Sequence, residues 1–392
     1  MTRIIAFSGL RVVNARAADT KSSSIHFSTK RLFTCVFLGV LFLSLDANAQ
    51  STPFHKGVNL TNWFQAPNAQ QMHFERYDKD DFETIKAMGC DVIRLPINLH
   101  AMAGAAPAYK LDTLFLLRLD QAVTWAEELG LYFILDNHSF DPATDTDPAI
   151  GDILNHVWKQ LASRYQDRTQ LLVYEILNEP HGIADDTWGA IQQEVIDVIR
   201  SVDKRHSIMV GGANWNSFHN LKNIPVYDDD NLIYTFHFYD PFLFTHQGAT
   251  WVAPSMKPLA GVPFPTGSAE LPPMPATFSG TWLETAYQRY SSEGTAVRVR
   301  ELIDIAVAFQ QERMVPVFCG EFGVHIPSSP QNDRVYWYKT VRSYLEQKGI
   351  SWTSWDYHGS FGVFERVEAE GKRTFRLNDP LLEAMGLQNP EN

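Results

Sequence analysis

Residues 171–180 read LLVYEILNEP, an apolar run that ends in a glutamate. A second run, Val315-Pro316-Val317-Phe318-Cys319, leads directly to Gly320-Glu321-Phe322-Gly323. Both runs have the character of buried strands, and burying an unpaired carboxylate costs several kcal/mol or more. A glutamate at the end of a core strand therefore indicates a function. We expect Glu179 and Glu321 to converge on one site although they lie far apart in sequence.

The rest of the sequence alternates short apolar runs with helical patterns, which is typical of repeated βα units around a parallel sheet. The predicted strands are 57–60, 91–95, 131–135, 171–177, 207–211, 232–238, 315–318 and 351–355. The predicted helices are 79–88, 111–129, 151–165, 187–202, 296–313 and 334–348. Eight strands with intervening helices predict an α/β fold, a (β/α)8 TIM barrel in a single domain.

One connection is much longer than the others. It follows the sixth predicted strand, runs from His237 to about Gly294 and is rich in proline. Long loops in compact domains are usually functional or disordered, and the aromatic residues Trp251, Phe264 and Trp282 argue against disorder. We therefore expect an ordered loop on the face where barrel enzymes build their sites.

The first 49 residues differ from the rest. Lys30-Arg31 precede an apolar run from Leu32 to Leu45, which is followed by Ala47-Asn48-Ala49. This pattern predicts a secretory signal peptide over 1–49, cleaved to leave a catalytic barrel domain over 50–392. A membrane anchor is the alternative, but the run is shorter than the roughly 18–20 residues that a spanning helix needs. The predicted location is secreted or periplasmic.

Composition and charge limit the classes of molecule that this protein could bind. The 392 residues are 45% hydrophobic and 20% charged with a net charge of −12, as in an acidic globular protein. Such a balance disfavours nucleic acid and anionic membranes but does not repel a neutral polysaccharide. We expect a monomer. Cys90 and Cys319 are expected to be buried free thiols, because they fall at opposite ends of their predicted strands.

Polar residues also end other predicted strands. Arg94 ends the second, Asn137-His138 the third, His237-Phe238-Tyr239 the sixth and Trp355 the eighth. Hydrolysis of a glycosidic bond needs a proton donor and a second carboxylate across the sugar. Glutamate suits both roles, because its surroundings can raise one pKa and leave the other group ionised.

In this combination and order, the motifs resemble those of glycoside hydrolase family 5, the cellulase-type (β/α)8 enzymes, from about Gly57 to Trp355. The resemblance implies a retaining mechanism with Glu179 as general acid/base, Glu321 as nucleophile and carboxyl groups about 5–5.5 Å apart. It also implies substrate-binding roles for six residues: Arg94 beside the nucleophile, His138 and His237 in the central subsite, Asn178 at the sugar 2-hydroxyl, Tyr239 near the nucleophile and Trp355 under the sugar ring.

Each of these roles has a structural alternative. Arg94 could serve only in an ion pair, the two histidines and Trp355 could be ordinary core residues, and Glu179 could be a helix N-terminal carboxylate. Further aromatic residues are candidate sugar platforms because flat apolar faces match pyranose rings. They are Trp63, Trp215, Trp251, Trp282 and Tyr357.

The sequence predicts no metal and no cofactor. Asp141, Asp145, Asp147 and Asp152 cluster in one loop and residues 228–230 are all aspartate, but neither group has the glycine and final glutamate of a calcium loop. Zinc-ligand spacings and glycine-rich phosphate loops are absent from the sequence as well.

These observations favour a secreted endo-β-1,4-glucanase acting on a β-glucan polysaccharide or oligosaccharide. The segments 237–242 and 245–249 look most like those of bacterial endoglucanases. Mannan, xyloglucan and β-1,3-glucan are alternative substrates for the same residues. A non-catalytic carbohydrate-binding barrel is a different class of answer, but it would need the loss of Glu179, Glu321, Arg94 or Asn178, and all four are present.

Overall fold

The computed structural model describes residues 50–369 and 372–392. The predicted signal peptide, 1–49, lies outside the described residues. Eight parallel strands pair in chain order and close into a barrel, which confirms the predicted (β/α)8 fold. The strands are β1 (Lys56–Asn59), β2 (Val92–Ile97), β3 (Tyr132–Asn137), β4 (Leu172–Glu175), β5 (Ser207–Gly211), β6 (Leu232–Phe238), β7 (Val317–Phe322) and β8 (Ser351–Ser354).

Helices surround the barrel, and a two-stranded antiparallel hairpin is inserted after β8. The helices are α1 (Lys79–Ala87), α2 (Thr113–Leu129), α3 (Ile150–Tyr165), α4 (Asp185–Arg200), α5 (Ala213–Asn216), α6 (Phe242–Thr245), α7 (Trp282–Glu293), α8 (Ala296–Arg313), α9 (Gln331–Gln347) and α10 (Asp379–Ala384). The hairpin strands are β9 (Phe364–Ala369) and β10 (Lys372–Leu377). Within the described part of the chain, no helix has the length and apolarity to cross a membrane.

Local sequence signals set the helix ends, as α2 illustrates. The Asp112 side chain accepts hydrogen bonds from the backbone N–H groups of Leu114 and Phe115, which lack partners within the helix. Gly130 ends the helix in the left-handed conformation with φ 64°, which costs glycine little. Between these ends, the apolar residues recur at helical spacing and face the barrel.

The barrel interior has two layers that differ in chemistry. The layer near the N-terminal ends of the strands is apolar and consists of Phe54, Val92, Ile134, Val173, Met209, Ile233 and Phe318. Side chains two residues apart on a strand share a face, so the next inward positions on β2, β3 and β4 are Arg94, Asp136 and Glu175. All three are fully buried. The barrel interior is therefore apolar near the N-terminal ends of the strands and charged towards their carboxyl ends.

The long connection after β6 is ordered and packed against the barrel, as predicted. It contributes buried apolar residues to the main hydrophobic core, namely Met256, Leu259, Val262, Phe264 and Phe278. The Gln247 amide ties the segment together, because its nitrogen donates to the carbonyl oxygens of Phe244 and Val262 and its oxygen accepts from Val262 N–H. The prediction missed helix α7 within this connection.

The two cysteines of the described residues, Cys90 and Cys319, are free and buried, which confirms that prediction. Burial raises the pKa of the Cys90 thiol to about 12. Neither thiol is therefore a reactive thiolate near neutral pH.

Candidate active site

The strands bring the residues selected from the sequence to one end of the barrel. Arg94 lies in β2 and Glu321 in β7, whereas Glu179 lies four residues beyond the end of β4. The backbone around Glu179 is fixed by neighbours, since Asn178 N–H donates to Asn137 O (3.0 Å) and the Glu179 carbonyl lies 2.9 Å from Nδ1 of His181. The site is thus at the carboxyl rim, where parallel barrels place their functional groups.

A β-bulge aims Glu321 into the barrel. The pairing register of β6 and β7 shifts here, since Cys319 pairs with Phe236 but Glu321 pairs with His237, which leaves Gly320 as an extra residue. Without this insertion, the alternation that points Phe318 inward would point Glu321 outward. A Cβ atom on Gly320 would lie 2.9 Å from Thr235 Oγ1, so a larger residue at this bulge would force the neighbouring side chain to shift.

The two glutamate side chains face each other across a narrow gap. A carboxylate oxygen of Glu179, a ring nitrogen of His237 and a carboxylate oxygen of Glu321 all lie within 4.8 Å of one another. His237 Nδ1 is 2.6 Å from Glu179 Oε1 and 3.6 Å from Glu321 Oε2. This spacing fits the separation of about 5–5.5 Å used by retaining glycosidases, not the about 6.5–9.5 Å that leaves room for a water in inverting ones.

Arg94 organises the floor of the site. It is fully buried, and each of its five N–H groups donates to a neighbouring oxygen. Nε and Nη2 donate to the Glu175 carboxylate (2.7 and 2.9 Å), and Nη2 also donates to Asn178 Oδ1 (2.7 Å). Nη1 donates to Glu321 Oε1 (2.8 Å) and to Asn59 Oδ1 (2.9 Å). The guanidinium therefore links the two catalytic candidates through Asn178 on one side and Glu321 on the other.

The two carboxyl groups have different electrostatic surroundings. Burial raises the pKa of Glu179 to about 7, although nearby positive groups oppose this shift. Glu321 is instead contacted by the Arg94 cation and by the Tyr239 hydroxyl, which donates to Oε2 at 2.8 Å. Burial and the Glu321 charge together hold the Tyr239 pKa well above its usual range, so this hydroxyl stays a donor. The surroundings thus favour a protonated Glu179, next to a Glu321 whose two oxygens accept from a cation and a hydroxyl.

His138 and His237 are neutral near pH 7. Burial lowers the pKa of both His138 and His237 to about 4. His138 Nδ1 bonds to Asp136 Oδ2 at 2.7 Å, which orients the ring. Its ring stacks against Trp355, with centroids 5.3 Å apart and planes 14° apart.

Close backbone packing against the residues of and just after β7 holds Trp355 in place. Its carbonyl oxygen would lie 2.4 Å from a Cβ atom on Gly323, so the Gly320-Glu321-Phe322-Gly323 motif needs its second glycine to let β7 and the segment after β8 approach. Trp355 N–H also donates to Phe322 O at 2.9 Å. The nucleophile candidate and the proposed platform are thus fixed to each other through backbone contacts.

The additional platform candidates divide into two groups. Trp63 and Tyr357 were predicted as possible sugar platforms, but both are buried in the core, where Trp63 packs against Phe64 and Tyr77. Trp215, Trp251 and Trp282 are instead partly exposed. Burial leaves only this second group able to stack against a ligand.

The backbone around Trp215 has an unusual, left-handed conformation. Asn214, Trp215 and Asn216 all have positive φ (62°, 63° and 52°), a conformation that costs side-chain-bearing residues energy. The indole stacks on the His181 imidazole with centroids 3.7 Å apart. The backbone N–H of Trp215 also donates to the carbonyl oxygen of Pro180 at 3.0 Å, so Trp215 is held close to the chain segment that carries the acid/base candidate Glu179.

The sequence reasoning missed three buried polar residues of the site, namely Asp136, Glu175 and His181. Asp136 and Glu175 lie directly opposite each other in the β3–β4 register. Burial raises the pKa of both, that of Asp136 to about 7. The period-two spacing from Ile134 and Val173 contained the signal, because it assigns both carboxyl groups to the inner face of the barrel.

Within residues 50–369 and 372–392, Glu179, His237 and Glu321 form the one group whose geometry would suit a metal ion. The atoms that would bind the ion already bond to other protein groups. His237 Nδ1 contacts Glu179, and the two Glu321 oxygens accept from Arg94 and Tyr239. The donor set therefore matches an internal hydrogen-bond network better than a cation site.

Comparison with known proteins gives a consistent family match. The sequence model of the cellulases, glycosyl hydrolase family 5, matches residues 46–360. The chain is 31% identical over 335 residues to Endoglucanase 3 of Fibrobacter succinogenes, which covers 79% of this chain and 50% of that protein. It is 30% identical over 320 residues to Endoglucanase C of Acetivibrio thermocellus, covering 78% of this chain and 91% of that protein. The chain thus spans only half the length of the first of these relatives.

Solved structures agree with these matches. Cel5A of Thermotoga maritima, in a structure described as a complex with mannotriose substrate, superposes with a TM-score of 0.70 at 27% identity. The match covers 86% of this chain and 98% of that one. Another structure of the same protein is described as a complex with cellobiose, at 28% identity and the same TM-score.

Proposed function

The chain belongs to the cellulase family, glycosyl hydrolase family 5, and from this premise we propose that it is a secreted endo-β-1,4-glucanase. It hydrolyses internal β-1,4-glucosidic bonds by double displacement, with no metal or cofactor, as a monomer. The observation that carries the proposal is the facing pair Glu179 and Glu321, less than 5 Å apart with His237 between them.

The first chemical step forms a covalent glycosyl-enzyme. A Glu321 oxygen attacks the anomeric carbon while the Glu179 proton passes to the departing glycosidic oxygen, so the bond breaks as the ester forms. Arg94 and Tyr239 orient the attacking carboxylate through one hydrogen bond to each oxygen. The Asn178 Nδ2 group, buried and without a partner among the described residues, is available to the sugar 2-hydroxyl.

The second step releases the sugar with its anomeric configuration retained. Ester formation removes the negative charge of Glu321 from the neighbourhood of Glu179, which favours the ionised form of Glu179. The resulting carboxylate takes a proton from an incoming water as that water attacks the anomeric carbon. One side chain therefore serves as acid and then as base because its neighbour changes charge.

Substrate assignment rests on the relatives. The matched proteins of Fibrobacter succinogenes and Acetivibrio thermocellus are named endoglucanases, and the Thermotoga maritima structures are described as complexes with cellobiose or mannotriose. We therefore place β-1,4-glucan first and β-mannan second. Both polymers are neutral, so the acidic net charge of the chain does not oppose either.

A substrate panel tests the proposal. Reducing-sugar release is measured on carboxymethylcellulose, galactomannan, xyloglucan and laminarin, using protein recovered from the medium of an expressing bacterium. We expect the highest rate on carboxymethylcellulose and a mature N-terminus at Gln50. A higher rate on galactomannan would replace glucan by mannan, and binding without hydrolysis on all four would reject the enzyme.

The pKa of Glu179 predicts the alkaline limb of the pH profile. The group is protonated below about pH 7, and only that form can donate a proton to the leaving group, so kcat/KM should fall as pH rises through about 7. The measurement is kcat/KM for a cellooligosaccharide, whose leaving group needs the proton, between pH 4 and 9. A Glu179→Gln variant, which cannot titrate at this position, is the control and should lack that limb.

A further inference from the structure

We propose that Glu175 is a positioning residue for this reaction: it fixes the Arg94 guanidinium in the orientation that holds both Glu321 and Asn178 ready to react. The inference rests on the proposed function but concerns a group that does not touch the sugar. Glu175 is fully buried below the rim, in the charged layer of the barrel interior.

The contact between the two side chains fixes the guanidinium in its own plane. Nε and Nη2 of Arg94 donate to the two oxygens of Glu175 at 2.7 and 2.9 Å. Such a pair of parallel bonds determines direction as well as distance, because a planar fork meets a planar carboxylate. With this edge occupied, Nη1 is the nitrogen left to face Glu321.

The orientation of Arg94 in turn determines that of the nucleophile candidate. Nη1 donates to Glu321 Oε1 at 2.8 Å and the Tyr239 hydroxyl donates to Oε2 at 2.8 Å, so both oxygens are held. Asp136 Oδ2 lies 3.1 Å from Nη2 and offers a competing partner. Without the Glu175 carboxylate, the guanidinium would be free to turn towards Asp136 and away from Glu321.

The same orientation determines which end of the Asn178 amide faces the sugar. Nη2 of Arg94 donates to Asn178 Oδ1 at 2.7 Å, so this oxygen points into the barrel. The Nδ2 group then has no partner among the described residues although it is buried. If Arg94 turned, the amide would lose the contact that keeps its nitrogen available to a sugar hydroxyl.

The charge balance argues against a purely structural role for Glu175. Glu175, Asp136 and Glu321 all lie within 3.1 Å of one buried guanidinium, which can neutralise only one of them. A buried ion pair is weak support for stability, since well-packed apolar residues often do as well. A third carboxylate in this cluster therefore fits a role in geometry better than a role in folding.

Glu175→Gln tests this inference. The amide keeps the shape but presents an N–H to an Arg94 N–H, so the paired contact is lost. We expect kcat on an aryl β-cellobioside to fall about 10–100-fold with little change in KM. The decisive readout is the rate ratio between this substrate and its analogue lacking the 2-hydroxyl on the reacting ring. In Glu175→Gln the ratio should shrink towards that of Asn178→Ala, because the amide is no longer held.

A merely structural role would lower the rates on both substrates equally and leave the ratio at the wild-type value, which would overturn the inference. Glu127→Gln is the matched control, since the Glu127 carboxylate accepts from Arg168 on the outside of the barrel: the single Nε–H lies 2.9 and 3.0 Å from its two oxygens and Nη2 donates to Oε2. Both the rate and the ratio should stay at wild-type values. If Glu175→Gln does not fold, Glu175→Asp keeps the charge but shortens its reach, and the same comparison applies.

Failure of the proposed function is recognised separately. A wild-type protein that turns over neither glycoside would reject the glycosidase itself, whereas wild-type turnover with an unchanged ratio in the Glu175 variants would reject only the positioning role. Counting active sites with a 2-fluoro glycoside inactivator corrects each rate for the fraction of folded enzyme.

Discussion

Glu321→Gln should abolish hydrolysis, lowering kcat on an aryl β-cellobioside by at least about 10⁴-fold. The amide keeps the size of the side chain, and its oxygen can still accept from Arg94 while its NH2 group donates to the Tyr239 hydroxyl oxygen, but it cannot form a glycosyl ester. Binding should survive, because the groups placed to contact the sugar remain. The free energy of unfolding should change little, since the substitution removes the charge of one of three carboxylates around a single guanidinium.

The measurement combines steady-state kinetics with calorimetric titration of a cellooligosaccharide into the variant. Asp229→Asn is the control for the loss of a partly buried, ion-paired carboxylate elsewhere, since Asp229 pairs with Arg200 at 2.5 Å on the outside of the barrel. The control should keep its activity. Wild-type rates in Glu321→Gln would assign the nucleophile to another residue, and loss of both binding and folding would leave Glu321 with a structural role.

The fold followed from the sequence because hydrophobic patterning reports burial. The predicted spans of β5 and β6 match the structure to the residue. The strand before Glu179 was predicted too long, because Ile176 and Leu177 are buried yet lie beyond the end of β4. Apolar runs thus locate strands well but do not show where strand pairing ends.

Features that depend on two distant segments were not predictable. The bulge at Gly320 exists only in relation to β6, and no local pattern marks it. The hairpin β9–β10 was missed because its strands, FERVEA and KRTFRL, are rich in Glu and Arg and lack a regular apolar alternation. Trp63 and Tyr357 were wrong as candidate platforms, since composition cannot tell a tryptophan or tyrosine that lines a cleft from one that fills a core.

The catalytic candidates were found because they carry their own local signals, a carboxylate at the end of an apolar run. Glu175 has the opposite surroundings, since it lies inside such a run and resembles a strand position with no role. Its function becomes visible only when β2, β4 and β7 are placed around one guanidinium, which brings Arg94 and Glu321 to it. Spatial convergence of this kind cannot be inferred from one strand.

Glu179→Ala should slow substrates with poor leaving groups far more than activated aryl glycosides. Proton donation by a positioned acid contributes about 10²–10⁴-fold, and a cellooligosaccharide needs that donation because a sugar alkoxide leaves poorly. A dinitrophenolate leaves without a proton, so the first step should be nearly unaffected for a dinitrophenyl β-cellobioside. Hydrolysis of the glycosyl-enzyme then becomes slow, because no base activates the water.

The test compares burst amplitude and steady-state rate on the two substrates. Glu179→Ala should give a burst of dinitrophenolate followed by slow turnover, and azide should restore turnover by attacking the glycosyl-enzyme to give a β-glycosyl azide. Azide should have no such effect on Glu321→Gln, which forms no ester and thus serves as the control. Equal losses on both substrates without azide rescue would reject the acid/base role, because simple disruption of the site lowers every rate and creates no stalled intermediate for an anion to attack.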